Sequence, residues 1–399
     1  MRKRLDPHGC DTGELDERRD ARPKLAALLS GHTTITKLRV RFHTAKEGTS
    51  MKASRLVRSI AAAAVAIVVG GLAASCSSAG GSSPAQAAGG STTSATKNLQ
   101  LAYLSFAVAN SYDAPMLAAA KAAASAGNAT LTVFDANNSP QTQFSQFQNV
   151  ISAGKYDGVI VQPILGTGLT SLVTQAIAKG IKVVNIDQIL GPDFTTDAPQ
   201  VPGLSANVTF IPSKIGTQMG QLAIQACQSK NLNPCNIGYM YDIKASTLDV
   251  AIHKAFTEAV ASDSTIKLVA EGEDFFTPAS GLKATQDMLQ AHPDLSLIVA
   301  SDQGLEGATQ ALSAAGKTGK VLMVGFGASE AGLGYVKAGT VFGDVAQAPA
   351  SEGKLGVEAL IKAIRSGTVT GGVDPVAALP GGGVVTSANA SQFTAEWPG

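Results

Sequence analysis

Histidine and cysteine are scarce in this 399-residue sequence, with five of the former and four of the latter, and they form no metal-ligand cluster or catalytic spacing. The sequence also lacks a Gly-x-Ser-x-Gly nucleophile elbow and a Gly-Lys-Ser/Thr phosphate loop. Gly166-Thr-Gly168 lacks the third glycine of a dinucleotide fingerprint and is interpreted as the entry to a helix. These absences argue against an enzyme and predict no metal and no cofactor, with a hydrolase as the disfavoured alternative.

Positive charge is also scarce in most of the chain. The net charge of +1 hides an asymmetry, because residues 1–58 hold 14 of the 31 basic residues but only 7 of the 30 acidic ones. The rest of the chain carries 17 basic and 23 acidic residues, a net charge of −6. Nucleic acids and anionic membrane surfaces require clustered positive charge, so neither is expected to bind this part of the chain.

The chain does contain an apolar, small-residue run from Ile60 to Cys76, preceded by Met51 and by basic residues. A basic segment, an apolar segment and a small-residue cleavage site in this order are typical of a secretory signal. The run is shorter than the roughly 20 residues that span a bilayer as a helix. With a cysteine at the cut, residues 51–76 resemble a bacterial lipoprotein signal, which implies export and a lipid on Cys76 that anchors the protein to the cell membrane. The alternative is a short uncleaved anchor.

Two further segments flank this signal. A secretory signal is read at the extreme N-terminus, so translation is expected to begin at Met51, and residues 1–50 are interpreted as a wrongly included extension. The alternative is a disordered cytoplasmic tail. Residues 77–97 are rich in Ser, Gly, Ala and Thr, a composition that predicts a flexible tether.

Cys227 and Cys235 are the two cysteines that remain once Cys10 and Cys76 are set aside. They lie at the end of a predicted helix and at the start of a predicted strand. In an oxidising exterior two such cysteines usually form a disulfide. Two free buried thiols are the alternative.

From Leu99 onward, short apolar strands alternate with helices. The strands are rich in Val, Ile and Leu without polar alternation, which indicates parallel sheets covered on both faces. Repeated strand–helix units of this length predict an α/β fold with two doubly wound domains. Ligands of such sheets bind at the carboxyl ends of the strands, so the residues that follow each strand are the candidate site.

Residues 98–386 resemble a type I periplasmic binding protein of the ribose-binding group, the solute receptors of ABC importers. The motifs that carry the resemblance are Ala291-His-Pro-Asp-Leu-Ser-Leu-Ile-Val-Ala300, Gly316-Lys, Val324-Gly-Phe-Gly327, Gln347-Ala-Pro and Gly356-Val-Glu. The resemblance implies two lobes joined by a three-crossover hinge, with the ligand held between them. The expected N-terminal lobe is residues 98–203 plus 348–375, and the C-terminal lobe is residues 204–347 plus 376–399.

The resemblance also implies a set of ligand-binding residues. They are Asn110, Tyr112, Asp187, Gln188, Phe275, Ser301 and Gln347, with Phe106 and Phe276 as further aromatic candidates and Asp249 or His253 as a substitute polar contact. Carboxylates and amides exchange hydrogen bonds with hydroxyl groups, and aromatic rings cover the C–H faces of a sugar. Asp302 is interpreted as a helix N-cap rather than a ligand contact.

The sequence departs from the family pattern at three positions. Gln188 and Gly327 stand where sugar receptors of this group carry Arg and Asp, and no Arg lies near Ile252. Ribose is therefore disfavoured, and a small neutral sugar or polyol is expected.

The implied function is capture of that solute outside the cytoplasm by a monomer, followed by delivery to an ABC permease and its ATPase. A sensory receptor of the same fold is the alternative.

Overall fold

The computed structural model describes residues 97–399 of the chain. The extension predicted over 1–50, the signal over 51–76 with Cys76, and the tether up to residue 96 lie outside the described residues.

The described part of the chain alternates strands and helices from its first element to its last. The strands are β1 Leu99–Ser105, β2 Ala129–Asp135, β3 Gly158–Val161, β4 Lys182–Asp187, β5 Ala206–Thr209, β6 Cys235–Tyr241, β7 Ile266–Glu273, β8 Leu297–Ser301, β9 Leu322–Gly327, β10 Gly343–Ala346, β11 Gly371–Val373 and β12 Val384–Thr386. The helices are α1 Asp113–Ala126, α2 Pro140–Ala153, α3 Gly166–Ala178, α4 Pro212–Ser229, α5 Thr247–Val260, α6 Pro278–Ala291, α7 Asp302–Ala314, α8 Glu330–Lys337 and α9 Pro349–Ser366.

These strands form two six-stranded sheets. The first has the order β11-β5-β4-β3-β1-β2, and all of its neighbours are parallel. The second has the order β12-β10-β9-β8-β6-β7, with β12 alone antiparallel to its neighbour. The predicted fold class, two α/β domains built on parallel sheets, is confirmed.

Apolar clusters cover both faces of each sheet, as the uninterrupted apolar strands require. In β1, Leu101 and Tyr103 point into the cluster formed with α1 and α9, whereas Ala102 and Leu104 point into the cluster formed with α2 and α3. Two further clusters enclose the second sheet in the same way. Each lobe therefore has a core of its own, and the sheet ends are left to form a site.

The chain passes between the two sheets three times: after β5, after β10 and after β11. The expected three-crossover hinge is present. The predicted boundary between the lobes at residues 203 and 204 is wrong, however. Residues 204–209 are assigned to the C-terminal lobe from the sequence, but they include β5, which pairs with β4 in the first sheet. The sequence Ala-Asn-Val-Thr of β5 has no apolar run that would mark a strand.

In the structure the sulfur atoms of Cys227 and Cys235 are bonded at 2.04 Å. Cys227 lies near the end of α4, and Cys235 is the first residue of β6. The two side chains are thus placed for the disulfide that the sequence predicts.

No helix within residues 97–399 is long and apolar enough to cross a membrane.

Candidate functional site

A cavity lies between the two lobes. The carboxyl-terminal ends of strands from both sheets border it, where ligands of doubly wound sheets bind. The lining residues are Phe106, Asn110, Tyr112, Asp113, Asp187, Gln188, Phe210, Asp242, Leu248, Phe276, Ser301, Gln303, Phe326, Gln347 and Trp397.

Most of the residues predicted from the resemblance are brought together here. Those that line the cavity are Phe106, Asn110, Tyr112, Asp187, Gln188, Phe276, Ser301 and Gln347. They come from both lobes and, in the case of Gln347, from the second crossover. Their contact with a ligand stays a prediction, but their shared location agrees with it.

Phe275 does not line the cavity. Its side chain is 54% exposed and borders a separate surface depression beside β7 and α6, whereas the adjacent Phe276 lines the interlobe cavity. Both residues have left-handed backbone conformations, with φ of 51° and 55°. The periodic pattern of a helix or strand does not apply to two residues in such a turn. The backbone geometry of the turn therefore decides which of the two rings reaches the cavity.

Asp249 is also absent from the lining residues, and its carboxylate forms hydrogen bonds within the protein instead. It accepts hydrogen bonds from the backbone N–H of Asp242 at 2.9 Å and of Ile243 at 3.2 Å, and from the Ser246 hydroxyl at 2.6 Å. Asp249 is buried in the first turn of α5 and is neither a solvated helix residue nor a cavity contact. It orders the loop that carries Asp242. His253, the other substitute considered, packs against the rings of Tyr239 and Tyr241.

Asp187 is the last residue of β4 and is 5% exposed. Its backbone is left-handed, with φ of 67°, a conformation that costs free energy for a non-glycine residue and is often found at functional sites. Gln162 Nε2 donates to Asp187 Oδ2 at 3.0 Å and also to Asp113 Oδ1. Burial raises the pKa of Asp187 to about 7 and raises that of Asp113 well above its ordinary range. A single amide group thus holds two carboxyls at the wall of the cavity.

Asp242 faces them from the second lobe, directly after β6. It is 2% exposed, and its Oδ1 accepts no hydrogen bond from any described residue. Burial and the neighbouring Asp274 raise the pKa of Asp242 well above its ordinary range. Ser301 supports this group, since its hydroxyl donates to Asp274 Oδ2 at 3.1 Å.

The N-cap of α7 is Ser301 rather than Asp302. The Ser301 hydroxyl accepts a hydrogen bond from the Gly304 N–H at 3.3 Å, which is the N-cap geometry. Asp302 is the first residue of the helix, and its carboxylate accepts a hydrogen bond from the Ser329 N–H at 2.7 Å. Asp302 is buried behind the cavity, so the prediction that it makes no ligand contact agrees with its position.

Aromatic side chains close the cavity from several directions. The ring of Tyr112 meets that of Trp397 edge to face, with centroids 5.4 Å apart. Trp397 donates through Nε1 to the carbonyl of Gly327 at 3.1 Å, which ties the C-terminal segment to the end of β9. The Tyr112 hydroxyl donates to the buried carboxyl of Glu352 in α9 at 3.4 Å. Rings from both lobes are therefore held in fixed positions around the site.

Residues 101–368 match the family described as the periplasmic binding protein domain. The chain belongs to this periplasmic binding protein family. It is similar to the D-allose-binding periplasmic protein of Escherichia coli (strain K12), with 31% identity over 242 residues that cover 57% of this chain and 72% of the relative. It is also similar to the xylitol-binding protein of Mycolicibacterium smegmatis, with 28% identity over 260 residues that cover 64% of this chain and 69% of the relative.

Solved structures show the same fold. A solute binding protein of an ABC transporter from Mycobacterium smegmatis, with bound glycerol, matches at a TM-score of 0.64 and 24% identity, covering 76% of this chain and 100% of the other. A second such protein, from Bacillus halodurans with bound myo-inositol, matches at a TM-score of 0.63 and 20% identity, covering 75% and 98%. The resemblance stated from the sequence motifs is confirmed at the level of family and fold.

In this periplasmic binding protein, sequence reasoning missed several residues that line the cavity. They are Asp113, Phe210, Asp242, Leu248, Gln303, Phe326 and Trp397. Asp242 had a usable signal, because it directly follows a predicted strand. Phe210 follows β5, which the sequence pattern did not reveal. Trp397, the single tryptophan of the chain, lies in a C-terminal segment with no strand or helix, and only tertiary packing brings it to the cavity.

The composition of the cavity agrees with the departures noted in the sequence. Lysine, arginine and histidine are all missing from the described residues that line it, whereas Asp113, Asp187 and Asp242 are present. Gln188 lies in the cavity where the family resemblance implies an arginine. The site therefore offers acidic, amide, hydroxyl and aromatic groups to a ligand.

Proposed function

We propose that this protein binds a sugar or polyol between its two lobes outside the cytoplasm and delivers it to an ABC import permease. The observation that carries the proposal is the interlobe cavity, to which both sheets contribute polar groups and aromatic rings at their carboxyl-terminal ends. The relatives support it, since they are named for binding D-allose and xylitol. The solved structures that share the fold hold glycerol and myo-inositol, both polyhydroxylated.

The chemistry of the cavity suits a hydroxyl-rich molecule. Asp187, Gln188 and Gln347 offer hydrogen-bonding groups to hydroxyls, and each hydrogen bond to a charged group contributes about 1.5–3 kcal/mol. The rings of Tyr112 and Phe276 offer apolar faces for C–H groups. Asp242 Oδ1, which accepts no hydrogen bond from the described residues, can accept one from a ligand hydroxyl.

Hinge closure provides the mechanism. A ligand that contacts both lobes binds the state in which the lobes are closest, and it shifts the population toward that state. The three chain crossovers are the segments about which the lobes rotate. The closed form then presents one continuous surface to the permease, whose ATPase drives import. A monomer suffices for this mechanism, because the chain supplies both walls of the cavity.

A thermal-shift panel tests the proposal. D-Allose, D-ribose, D-xylose, xylitol, glycerol and myo-inositol are each added to the purified protein, with amino acids as negative controls. A ligand at 100 times its dissociation constant stabilises the folded state by about 2.7 kcal/mol, which corresponds to a melting-temperature rise of roughly 4 °C for a chain of this size.

Stabilisation by amino acids alone would contradict the assignment of a carbohydrate ligand, but it would still be consistent with a solute-receptor function. Chemical turnover of any small substrate would instead support the enzyme alternative.

Membrane anchoring through Cys76 is the second part of the proposal, and it rests on the signal-like residues 51–76. Cells that express the chain from Met51 onward are fed an alkyne-bearing fatty acid, and the protein is expected to be labelled and membrane-bound. Cys76→Ser should lose the label and leave the membrane fraction, whereas the control Ser83→Ala in the predicted tether should keep both properties. Label retained in Cys76→Ser would contradict lipidation at this residue.

A further inference from the structure

The cavity is rich in acidic groups for a site that holds a neutral molecule. Asp113 and Asp187 belong to the first lobe and Asp242 to the second, so acidic groups face the cavity from both sides. Basic side chains are absent from the described residues that line it. Within residues 97–399, no salt bridge includes any of the three carboxyls.

The hydrogen bonds of the first lobe leave room for an additional donor. The amide group of Gln162 donates to both Asp113 and Asp187, so two carboxyls share one donor group. A carboxyl group keeps acceptor positions in either protonation state. The pair therefore has acceptor capacity that a ligand can fill.

Asp242 gives independent evidence that a donor is missing. Its side chain is 98% buried and lines the cavity, yet Oδ1 accepts no hydrogen bond from a described residue. The carboxyl of Asp242 also interacts with Asp274 and Ser301, so the missing donor concerns Oδ1 alone. A buried carboxyl oxygen without a donor is costly, and this cost is relieved when a ligand donates to it.

The aromatic lining suits a cation as well as a sugar face. The rings that border the cavity are Phe106, Tyr112, Phe210, Phe276, Phe326 and Trp397. Aromatic faces attract an ammonium group within about 6 Å, most strongly where water is excluded. A metal ion is a poorer candidate, because no group of three or more ligating side chains within residues 97–399 could hold one.

We propose that the solute bound in the cavity carries an ammonium group, so that the preferred ligand is an amino sugar or an amino polyol. An ammonium supplies three N–H donors to the three carboxyls that line the cavity, and its positive charge favours the ionised forms of these groups, for which the described lining residues provide no cation. The hydroxyl groups of the same molecule form hydrogen bonds with the amide and hydroxyl side chains of the cavity. This inference rests on the proposed function and refines its ligand class.

Matched pairs of ligands test it. D-Glucosamine is compared with D-glucose, and 1-amino-1-deoxy-D-glucitol with D-glucitol, by calorimetric titration at pH 7. The aminated member of at least one pair is expected to bind tenfold or more tighter than its neutral partner. N-Acetyl-D-glucosamine keeps the nitrogen but removes the charge, and it is expected to lose this advantage. Calcium chloride serves as a control for binding of an inorganic cation.

A substitution at Asp242 tests whether this residue is responsible for the preference for an aminated ligand. Asp242→Asn should reduce the ratio of aminated to neutral affinity at least fivefold, whereas Asp287→Asn on the exposed face of α6 should leave the ratio unchanged. If Asp242→Asn fails to fold, Asp113→Asn replaces it with the same expectation. Neutral members that bind as tightly as the aminated ones, or calcium that binds equally well, would overturn the inference while the proposed function stands. If no sugar, polyol or aminated analogue binds, both are contradicted.

Discussion

Asp187→Asn is expected to weaken binding of the best ligand in the panel by about 10- to 100-fold, and at the same time to stabilise the empty protein. The loss follows from the removal of a carboxylate that lies in the cavity wall at the end of β4. One or more charge-assisted hydrogen bonds, at about 1.5–3 kcal/mol each, correspond to that range of affinity. Calorimetric titration of both proteins measures it.

The gain in stability follows from the pKa of Asp187. Burial raises this pKa to about 7 in the folded protein, whereas the unfolded chain ionises near 3.9. Below pH 3.9 both states are protonated and the aspartate costs nothing. As the pH rises, the unfolded state releases its proton first, so the folded state loses stability until the pH passes about 7. Asparagine cannot ionise and removes this cost.

The expected gain in the free energy of unfolding is about 1–2 kcal/mol at pH 5 and about 4 kcal/mol at pH 8. Urea unfolding of the ligand-free proteins at both pH values measures it. Asp287→Asn is the matched control, because its carboxylate is exposed and paired with Lys283, so neither binding nor the pH dependence should change. Unaltered affinity in Asp187→Asn would show that the cavity wall is not the binding site. A variant that is less stable at pH 8 would contradict the pKa assignment.

Gly353→Ala is expected to lower the free energy of unfolding by about 2–3 kcal/mol and to weaken ligand binding. Gly353 lies in α9 where this helix packs against α1, and a Cβ atom at this position would lie 2.0 Å from the backbone carbonyl oxygen of Met116. Backbone atoms cannot move aside as a side chain does. The two helices must therefore separate.

The effect on binding comes from the position of α1. This helix begins at Asp113, and the preceding residue is Tyr112, so both cavity residues move when α1 moves. Urea unfolding and titration of the same preparation measure the two effects together.

Gly334→Ala is the control, since this glycine is in α8 and a Cβ there meets nothing within 4 Å. Alanine should stabilise α8 by up to about 1 kcal/mol without a change in affinity. Equal stabilities of the two variants would contradict the close approach of α1 and α9.

Runs of apolar residues made much of the fold predictable. β3 and β4 consist mainly of Val and Ile, and such runs indicate buried parallel strands. β5, β11 and β12 lack a run of three apolar residues, and the sequence pattern does not predict them. Such strands are defined by the neighbour that they pair with, and pairing is a long-range contact that local patterning does not report.

The candidate site divides in a similar way. The rule that ligand groups follow strand ends leads directly to Asp187 and Ser301, and the same rule extends to Asp242. Phe275 and Phe276 show where the rule fails, because two consecutive left-handed residues decide which ring faces the cavity. Asp249 is a second case in which the prediction fails. Its carboxylate accepts hydrogen bonds from backbone N–H groups that only the folded loop brings near.

By itself the sequence determined the two α/β lobes, the family, and the strand ends at which a solute should be bound. These properties depend on hydrophobic runs and short motifs, which are local. Tertiary structure alone decided that Asp113, Asp187 and Asp242 share one cavity without a cation, and that Trp397 closes it against Tyr112. The reason is physical: charge balance and enclosure depend on distances between side chains that are far apart in the chain, and only folding sets those distances.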